Sequence, residues 1–274
     1  MTSHIQTPAL TPEAPAAAIP TFAEIGLHPS LLQAVIDTGY TTPTPIQAQA
    51  LPCVMAGNDV MGAAQTGTGK TAAFTLPILH RLIPLSITSA SPARHPVRAL
   101  ILTPTRELAD QVYESVKRYS RHTPLRSTVV FGGVDIGPQK EALRNGCEVL
   151  IATPGRLLDH VEQKNVNLSQ VGILVLDEAD RMLDMGFLPD LQRIISLIPP
   201  ARQTLLFSAT YPEGIAQLAS QFMRQPQTVT VQAQHSATKI RQVFVEIKDS
   251  ERLNAVSQLL NHFRPESTLA FCNT

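Results

Sequence analysis

The sequence lacks an excess of charge of either sign, because 22 Lys and Arg residues balance 22 Asp and Glu residues among 274. Such a chain cannot hold nucleic acid by bulk attraction, so any such contact must come from a local patch or from oriented backbone dipoles. Charged residues are few, 16% against 43% hydrophobic residues, which excludes a disordered protein and indicates a globular one. At roughly 100–200 residues per domain, the length predicts one large domain or one domain and part of another.

Cysteine is scarce, and segments typical of membrane or secreted proteins are missing. Cys53, Cys147 and Cys272 are dispersed, with no Cys-x-x-Cys pair and no histidine at metal-ligand spacing. This excludes a disulfide or zinc framework and predicts reduced thiols in a cytoplasmic protein. The sequence contains no run of about 18 apolar residues, so no membrane span is predicted. Residues 1–20 contain four Pro and five Ala but no Lys or Arg, which predicts a disordered tail and neither a signal nor a transit peptide.

Short apolar runs alternate with helical patterns along residues 21–231. The runs predict strands at Asp59–Ala63, Ala99–Leu102, Ser127–Phe131, Glu148–Ala152, Gly172–Leu176, Thr204–Phe207 and Thr228–Val231. The intervening patterns predict helices at Arg106–Tyr119, Pro138–Arg144, Gly155–Val161 and Glu213–Phe222. Strands that are apolar on both faces favour a buried parallel sheet. The alternation therefore predicts a doubly wound α/β domain with helices on both faces of the sheet.

Two segments interrupt this alternation. Pro84–Val97 is rich in Ser, Ala and Pro and is predicted to be an exposed loop, and residues 232–239 are predicted to be a linker. After the linker we predict a strand at Gln242–Ile247, a helix at Glu251–His262 and a strand at Thr268–Cys272. A strand so close to the last residue would be an exposed apolar edge. We therefore expect residues 240–274 to be the incomplete start of a second α/β domain.

The most specific local motif directly follows the first predicted strand and precedes a helical pattern. It consists of Ala64, Gln65, Thr66, Gly67, Thr68, Gly69, Lys70 and Thr71. Its glycines allow backbone N–H groups to surround a phosphate at a helix N-terminus, as in a P-loop. Lys70 would reach the β- and γ-phosphates, and the Thr71 hydroxyl would hold Mg²⁺. Ala64 departs from the usual Gly, and the alternative is an ordinary connecting loop.

A pair of acids ends the predicted strand Gly172–Leu176. A P-loop enzyme needs a carboxylate on a neighbouring strand to hold the hydrated metal, and Asp177 is suited to that role. Glu178 could orient or deprotonate a water molecule that attacks the γ-phosphate. Alone, the two acids could equally favour the first turn of the following helix. Together with the P-loop motif, Lys70, Asp177 and Glu178 predict a site for nucleoside triphosphate hydrolysis.

At this point the sequence resembles a known family, the DEAD-box ATP-dependent RNA helicases, whose domains are RecA-like P-loop folds. The family takes its name from the sequence that Asp177-Glu178-Ala179-Asp180 matches. Its other motifs occur in the family's order, at Phe22, Pro43–Gln47, Pro104–Leu108, Gly132–Gly133, Thr153–Arg156, Ser208–Thr210 and Phe271–Thr274. The match covers about residues 22–274. Arg181–Phe187 and Phe131–Val134 look most like the bacterial RhlE-like subgroup.

The resemblance implies how an adenine base would be held. Gln47 would pair its side-chain amide with the donor and acceptor on the adenine edge, which favours ATP over GTP. Phe22 would pack on the base, and Tyr40 stands where the family more often has Phe. Without the family context, Gln47 reads as a solvated residue near a helix start and Phe22 as a core aromatic.

The resemblance also implies an RNA-binding side. Three motifs would hold RNA phosphate and sugar without reading bases: Pro104, Thr105 and Arg106; Gly132 and Gly133; and Thr153, Pro154, Gly155 and Arg156. Asp180, Ser208, Ala209 and Thr210 would connect the nucleotide to the RNA. Taken singly, these motifs are better explained as tight turns, capped helices or a polar strand end, and only the family resemblance favours the RNA-binding role.

The expected function is therefore an ATP- and Mg²⁺-dependent RNA helicase, represented by its amino-terminal ATP- and RNA-binding portion. The alternative is a nucleotide- and RNA-binding module with little turnover, because the family's arginine finger lies in the second domain. A DNA-directed P-loop motor is a weaker alternative, which is opposed by Pro43–Gln47, the segment that resembles the family's Q motif, and by the Asp-Glu-Ala-Asp order. We expect a cytoplasmic monomer without membrane contact, with ribosomal or RNA-decay factors as candidate partners.

Overall fold

The computed structural model describes residues 20–65, 67–89, 91, 95–211, 213–231 and 243–271. The chain divides into two units, residues 1–233 and 234–274. Thr66, the linker at 232–239 and the last three residues lie outside the described ranges. Within those ranges, no helix combines the length and hydropathy that crossing a bilayer requires.

The first unit is built on a seven-stranded parallel sheet in the order β3-β4-β2-β5-β6-β1-β7. The strands are β1 Val60–Ala63, β2 Ala99–Leu102, β3 Ser127–Val130, β4 Val149–Ala152, β5 Ile173–Asp177, β6 Gln203–Ser208 and β7 Gln227–Thr230. The four central strands β2, β4, β5 and β6 are buried along their whole length, whereas β3 and β7 at the edges are partly exposed. This confirms the predicted parallel α/β sheet.

Helices cover both faces of the sheet. They are α1 Pro29–Asp37, α2 Pro45–Met55, α3 Lys70–Leu82, α4 Arg106–Ser120, α5 Gly137–Arg144, α6 Pro154–Glu162, α7 Ala179–Asp184, α8 Leu188–Ser196 and α9 Glu213–Phe222. Helices α1 to α4 contribute to one apolar cluster, and α5 to α9 contribute to a second cluster on the opposite face. The seven predicted strands and four predicted helices of this unit lie within one residue of the observed bounds, because apolar runs and breakers mark both kinds of element.

The prediction of an exposed loop at Pro84–Val97 is wrong for part of the segment. His95 and Val97 are buried. The His95 Nδ1 lies 2.5 Å from Oε1 of Glu148, and its Nε2 lies 2.7 Å from the carbonyl oxygen of Ser89. The composition of the segment could not reveal an anchor that is supplied by a residue far along the chain, at the start of β4.

In the second unit, the described residues form one α-helix, α10 Arg252–Phe263, preceded by a 3-10 turn at Asp249–Glu251. Residues 243–248 and 268–271 are irregular, so the strands predicted at Gln242–Ile247 and Thr268–Cys272 are absent from their described parts. A strand exists only when a neighbour pairs with its backbone, and the described part of this unit offers no second strand.

Candidate functional site

The predicted motifs of the first unit converge on one edge of the sheet. Because all strands are parallel, the loops that follow them lie at the same edge. The P-loop follows β1, the acidic pair ends β5, and Ser208 ends β6, and these three strands are neighbours. The three predicted RNA motifs follow β2, β3 and β4, which are also neighbours. The edge therefore has a phosphate side and, beside it, a predicted RNA side.

The P-loop has the backbone geometry that its glycines predict. Gly67 and Gly69 have positive φ angles of 84° and 95°, which residues with a Cβ adopt only at a cost. The Ala64 N–H donates to the Ser208 carbonyl (3.2 Å), and the Thr68 hydroxyl donates to the Gln65 carbonyl (2.7 Å). Gly69 is the N-cap of α3, so Lys70 and Thr71 occupy the first helical positions. Their loop borders a cavity of about 360 Å³.

The charges at this cavity suit an anion together with a divalent cation. Lys70 is buried, and within the described structure its Nζ has no hydrogen-bond partner. Asp177 is also buried, and this burial raises the pKa of Asp177 to about 6 although the positive charge of Lys70 opposes the rise. Burial destabilises the charged forms of the Lys70 ammonium and the Asp177 carboxylate. A phosphate group would stabilise the ammonium, and a bound cation would stabilise the carboxylate. The residues therefore fit a phosphate chain with bound Mg²⁺.

A magnesium ion at this position would not be enclosed by protein. Among the described residues, no group of three His, Cys, Asp or Glu side chains could form a metal cage. Mg²⁺ commonly keeps several water ligands and binds through one or two carboxylates plus substrate phosphates. Asp177 and Thr71, which both border the cavity, match that mode.

We expect Asp177→Asn to stabilise the nucleotide-free protein at neutral pH. The raised pKa means that the folded state holds the proton more tightly than the unfolded state, so the ionised carboxylate lowers stability above about pH 6. The substitution should add up to about 3 kcal/mol to the free energy of unfolding at pH 8. This gain should shrink towards zero as the pH falls from about 6 to about 4, where Asp177 itself becomes neutral.

Urea unfolding of both proteins across this pH range measures the difference directly. The exposed Asp184→Asn is the matched control and should show no such pH-dependent gain. A gain for Asp177→Asn that stays constant between pH 4 and pH 8 would contradict the assignment.

Glu178 has an unusual backbone conformation. Its φ and ψ of 53° and 50° are left-handed, and it is the N-cap of α7. For a residue other than Gly this costs of order 1–3 kcal/mol, and such strain concentrates at functional sites. The side chain borders the cavity and lies 3.4 Å, Oε2 to Nη1, from Arg181. The carboxylate is thus held beside the phosphate side by a conformation that the sequence did not reveal.

Gln47 connects α2 to the P-loop. Its Oε1 accepts a hydrogen bond from the Thr44 N–H (3.0 Å), and its Nε2 donates to the Gly69 carbonyl (3.1 Å). The side chain is buried, so both halves of the amide that was expected to read adenine are bonded to backbone. In this structure Gln47 therefore fixes the distance between the Q motif and the phosphate loop.

The aromatic residue beside the cavity is Tyr40, whereas Phe22 was expected to pack on the base. Phe22 is 4% exposed and belongs to the apolar cluster of α1 to α4. Tyr40 is 42% exposed and borders the cavity together with Tyr119, with the two rings 6.4 Å apart. The structure thus brings Tyr40 to the site and leaves Phe22 in the core, which was the other interpretation of that residue.

We expect Gly69→Ala to be more damaging than Gly67→Ala. Both replacements force a residue with a Cβ into a positive φ. A Cβ at Gly69 would lie 2.5 Å from Nε2 of Gln47, whereas one at Gly67 would meet none of the described residues within 4 Å. The clash should displace Gln47 and remove its hydrogen bond to the P-loop, at an extra cost of about 1 kcal/mol.

Chemical unfolding of the two variants tests this difference, with Gly67→Ala as the matched control. Repeating the comparison in a Gln47→Ala background should remove the extra cost if the contact is its cause. An equal penalty for both glycines in the presence of Gln47 would refute the explanation.

The residues predicted to couple the two sides form one hydrogen-bonded group. Asp180 Oδ2 accepts from the Thr210 N–H (3.0 Å) and hydroxyl (2.8 Å), and the Asp180 N–H donates to the Ser208 hydroxyl (3.3 Å). Burial tends to raise the pKa of Asp180, but hydrogen bonds from Thr210 and Ser208 outweigh it and the pKa is lowered. Ala209 is exposed between its two hydroxyl neighbours. The ends of β5 and β6 are therefore joined directly.

Two loops meet at the start of the predicted RNA side. Thr105 is the N-cap of α4, and its hydroxyl accepts from the Leu108 N–H. Pro104 is buried, whereas Arg106 is exposed and its Nε lies 2.6 Å from Oε1 of Glu107. A Cβ at Gly133 would lie 3.8 Å from Nη1 of Arg106, so the loops after β2 and β3 are adjacent. Gly132, the other glycine of this loop, is partly exposed.

The loop after β4 joins the same group. Thr153 is buried, Pro154 begins α6, and Gly155 is exposed in its first turn. Arg156 Nη2 donates to the Val134 carbonyl (3.0 Å), which links this loop to the one after β3. The Nε and Nη1 of Arg156 are buried and have no hydrogen-bond partner among the described residues. The structure thus assembles the three predicted RNA motifs around two arginines.

One residue that holds this group was not predicted from the sequence. Gln139 in α5 is buried and binds both backbone groups of Phe131, accepting from its N–H (3.1 Å) and donating to its carbonyl (3.0 Å). His160 Nε2 in α6 lies 3.4 Å from the same side-chain oxygen. A glutamine eight residues after a strand carries no sequence signal of this kind.

Comparison with known proteins agrees with the site. Residues 44–218 match the sequence profile of the DEAD/DEAH box helicase family. The chain is 44% identical over 254 residues to the ATP-dependent RNA helicase CshA of Limosilactobacillus reuteri, covering 92% of this chain and 50% of that protein. It is 41% identical over 256 residues to the DEAD-box helicase RhpA of Helicobacter pylori, covering 93% and 50%. The chain thus spans about half the length of these relatives.

The fold has a solved counterpart. A DEAD box protein from the hyperthermophile Methanococcus jannaschii superposes with a TM-score of 0.71 at 35% identity, over 88% of this chain and 63% of that one. The assignment to the RhlE-like subgroup stays a prediction. The family profile spans more than half of the sequence and includes the P-loop, the acidic pair and the Ser-Ala-Thr motif. The chain therefore belongs to the DEAD/DEAH box helicase family.

Proposed function

We propose that this chain is the ATP- and RNA-binding portion of an ATP-dependent RNA helicase, which couples ATP hydrolysis to local separation of an RNA duplex. The observation that carries the proposal is the layout of the sheet edge. The motifs with phosphate chemistry follow three neighbouring strands, and the motifs with RNA chemistry follow the next three. We assign residues 21–231 to the ATP-binding domain, 1–20 to a tail, 232–239 to a linker and 240–274 to the start of a second RecA-like domain.

At the phosphate side, we propose that Lys70 neutralises the β- and γ-phosphates of ATP. The P-loop backbone from Ala64 to Gly69 and the N-terminus of α3 would surround the same groups. Thr71 and Asp177 would hold Mg²⁺, which neutralises charge on the transferred phosphoryl group when bound. Glu178 would orient the attacking water. Tyr40 borders the cavity, and we propose that Gln47 and Phe22 hold the adenine base as the family resemblance implies, which selects ATP.

At the RNA side, we propose contacts to phosphate and sugar that are independent of sequence. The N-termini of α4 and α6 offer free N–H groups, and Arg106 and Arg156 supply the positive charge. The Nη1 of Arg156 supports this role: it is buried without a hydrogen-bond partner among the described residues, whereas Nε lies 3.5 Å from Oδ2 of Asp159, and a buried donor gains most from an added acceptor. Local charge of this kind explains how a chain with no net charge could hold RNA.

Communication between the sides would pass through Asp180, Ser208 and Thr210. Their hydrogen bonds join the end of β5, where the metal-binding acid lies, to the end of β6. A shift of β5 that accompanies loss of the γ-phosphate would therefore move β6 as well.

We propose a cytoplasmic monomer, with ribosomal or RNA-decay factors as partners.

For these 274 residues alone, a second function is favoured by one observation. Lys70 is the only cation among the described residues that border the cavity. The family resemblance implies an arginine finger on the second domain, and such a residue is worth roughly 10³–10⁵ in rate in other phosphoryl-transfer systems. We therefore propose that this chain by itself binds ATP and RNA with little turnover.

The test is to measure ATP binding, RNA binding and ATP hydrolysis with the 274-residue protein. We expect ATP to bind weakly, single-stranded RNA to bind in a salt-dependent manner, and RNA to stimulate hydrolysis very little. Arg156→Ala should weaken RNA binding and leave ATP binding unchanged, whereas the exposed Arg144→Ala is the matched control and should change neither. Robust duplex unwinding by this chain alone, or RNA binding that is insensitive to Arg156, would overturn the proposal.

A further inference from the structure

A second cavity lies away from the phosphate side, along the open edge of β3. Its volume is about 790 Å³, and no step proposed above uses it. Residues that border it come from β3, from α4 and from α5, including Tyr113, Val129, Phe131, Pro138 and Ala142. Because α4 and α5 pack on opposite faces of the sheet, a cavity bordered by both lies beyond the last strand, as a groove between two helices.

The floor of this groove contains backbone groups without a hydrogen-bond partner among the described residues. Val130 and Arg126 direct their carbonyls towards β4, where they accept from Thr153 and Val149. Alternate residues of a strand in a parallel sheet face the same neighbour, so Ser127 and Val129 turn their N–H and C=O groups outwards. In the described structure, these outward groups bond to no other part of the protein. They are donors and acceptors arranged for one more strand.

At both ends of this unpaired stretch of β3, hydrogen bonds made by side chains already occupy the edge of the strand. At one end, the Gln139 side chain already pairs with the N–H and C=O of Phe131, as an added strand would. At the other end, the Arg126 guanidinium donates to the carbonyls of Asn145 (2.9 Å) and Ser89 (3.1 Å). Residues 126–131 span roughly 16 Å at about 3.3 Å per residue, so the groove accommodates about five residues of extended chain.

We propose that this groove, the β3 groove, binds an extended peptide segment of a partner protein by strand addition. Main-chain hydrogen bonds to Ser127 and Val129 would supply part of the affinity, and pockets for alternate side chains would supply specificity. Two apolar side chains of the bound peptide, at alternate positions, would lie against Tyr113, Val129 and Phe131.

Charge and shape select this occupant. The positively charged Arg126 and the exposed, negatively charged Asp135 border opposite ends of the groove. The peptide would therefore carry an acidic residue at the Arg126 end and a basic residue at the Asp135 end. A second copy of this chain does not suit the groove, because its own β3 is recessed between its own α4 and α5.

The test uses the whole 274-residue protein and two capped pentapeptides, Asp-Val-Thr-Val-Lys and the reverse sequence, which sample both strand directions. Binding is followed by NMR, through exchange of the Ser127 and Val129 amide protons with solvent. We expect one peptide to slow exchange of both amides at least tenfold at saturation. The same peptide with its Asp replaced by Lys should bind more weakly, because it loses the acidic residue that faces Arg126.

Two variants locate the binding. Ala142→Arg places a large side chain in the groove from α5 without altering the β3 backbone, and it should abolish peptide binding. Ala216→Arg makes the same change at an exposed position of α9, far from β3 in the sheet order, and should have no effect. Both variants should keep the circular dichroism spectrum and the urea-unfolding midpoint of the unaltered protein, which checks that they are folded without relying on ATP binding.

Four results would overturn the proposal. The first is that neither peptide protects the two amides at millimolar concentration, and the second is that peptide binding survives Ala142→Arg. Self-association of the protein that Ala142→Arg abolishes would identify a second copy as the occupant. Protection of the same amides by single-stranded RNA would assign the groove to the RNA side. Failure of RNA or ATP binding alone would affect only the function proposed above.

Discussion

Lys70→Met should reduce the affinity of this protein for ATP by about 30-fold to 5,000-fold, the largest effect that we expect for one substitution on binding. Removing one partner of a buried, hydrogen-bonded charge pair costs roughly 2–5 kcal/mol, since the other charge loses its compensation. The Lys70 ammonium is buried and, in the described structure, has no hydrogen-bond partner. Attraction to the Asp177 carboxylate offsets part of its desolvation cost, and a bound phosphate would supply the missing hydrogen-bond acceptor. Titration calorimetry with a non-hydrolysable ATP analogue measures the change.

In the nucleotide-free protein, Lys70→Met should not reduce stability, in contrast to its effect on ATP affinity. Methionine has a similar length and removes the unpaired ammonium, so the free energy of unfolding should not fall. The pKa of Asp177 should rise above its value in the unaltered protein, because Lys70 is the charge that holds it down. The exposed Lys164→Met is the matched control for both measurements. If Lys70→Met bound ATP normally, or unfolded much more easily than the unaltered protein, Lys70 would be a structural residue.

Glu178→Gln should lower the rate of ATP hydrolysis by about 10²–10⁴, the range for loss of a positioned general base. ATP affinity should change little, because the substitution keeps the shape of the side chain and removes only its charge. Hydrolysis is to be measured in a chain long enough to include the second RecA-like domain that the family resemblance implies. Single-turnover measurements separate the chemical step from nucleotide binding.

Glu162→Gln, an exposed glutamate of α6, controls for loss of one negative charge and should leave hydrolysis unchanged. We also expect the Glu178→Gln protein to retain bound ATP and RNA, because their release would follow hydrolysis. A normal hydrolysis rate in this variant would remove Glu178 from the mechanism. A loss of ATP binding would instead indicate that its left-handed backbone conformation, and not its charge, supports the site.

The contrast between Tyr40 and Phe22 illustrates what sequence patterns could not decide. Both are aromatic residues upstream of Gln47, and the resemblance favoured Phe22 as the residue on the base. In the folded chain Phe22 packs into the cluster of α1 to α4 and Tyr40 borders the cavity, and contact of Phe22 with the base stays a prediction. Gln47 is similar: its residue type suggested base recognition, which stays a prediction, and its position over the P-loop gives its amide backbone partners in this structure.

The second unit shows the opposite limit. Its predicted helix forms, since the hydrogen bonds of a helix are made within the segment itself. Its two predicted strands do not form in their described parts, since a strand needs a partner from elsewhere in the chain. The His95 contact with Glu148 has the same cause: a residue that looked like part of an exposed loop is buried by a distant one.

The sequence by itself determined the class of fold, the limits of the seven strands and of four of the nine described helices in the first unit, and the P-loop and acidic motifs. These are local properties, set by the spacing of apolar residues, by glycines and by short motifs. The tertiary structure alone decided that the phosphate and RNA motifs lie on adjacent halves of one sheet edge, and that Gln139 and Arg156 join the RNA loops. It also left the edge of β3 open. Each of these depends on the order of strands in the sheet, which pairs segments that are far apart in the chain.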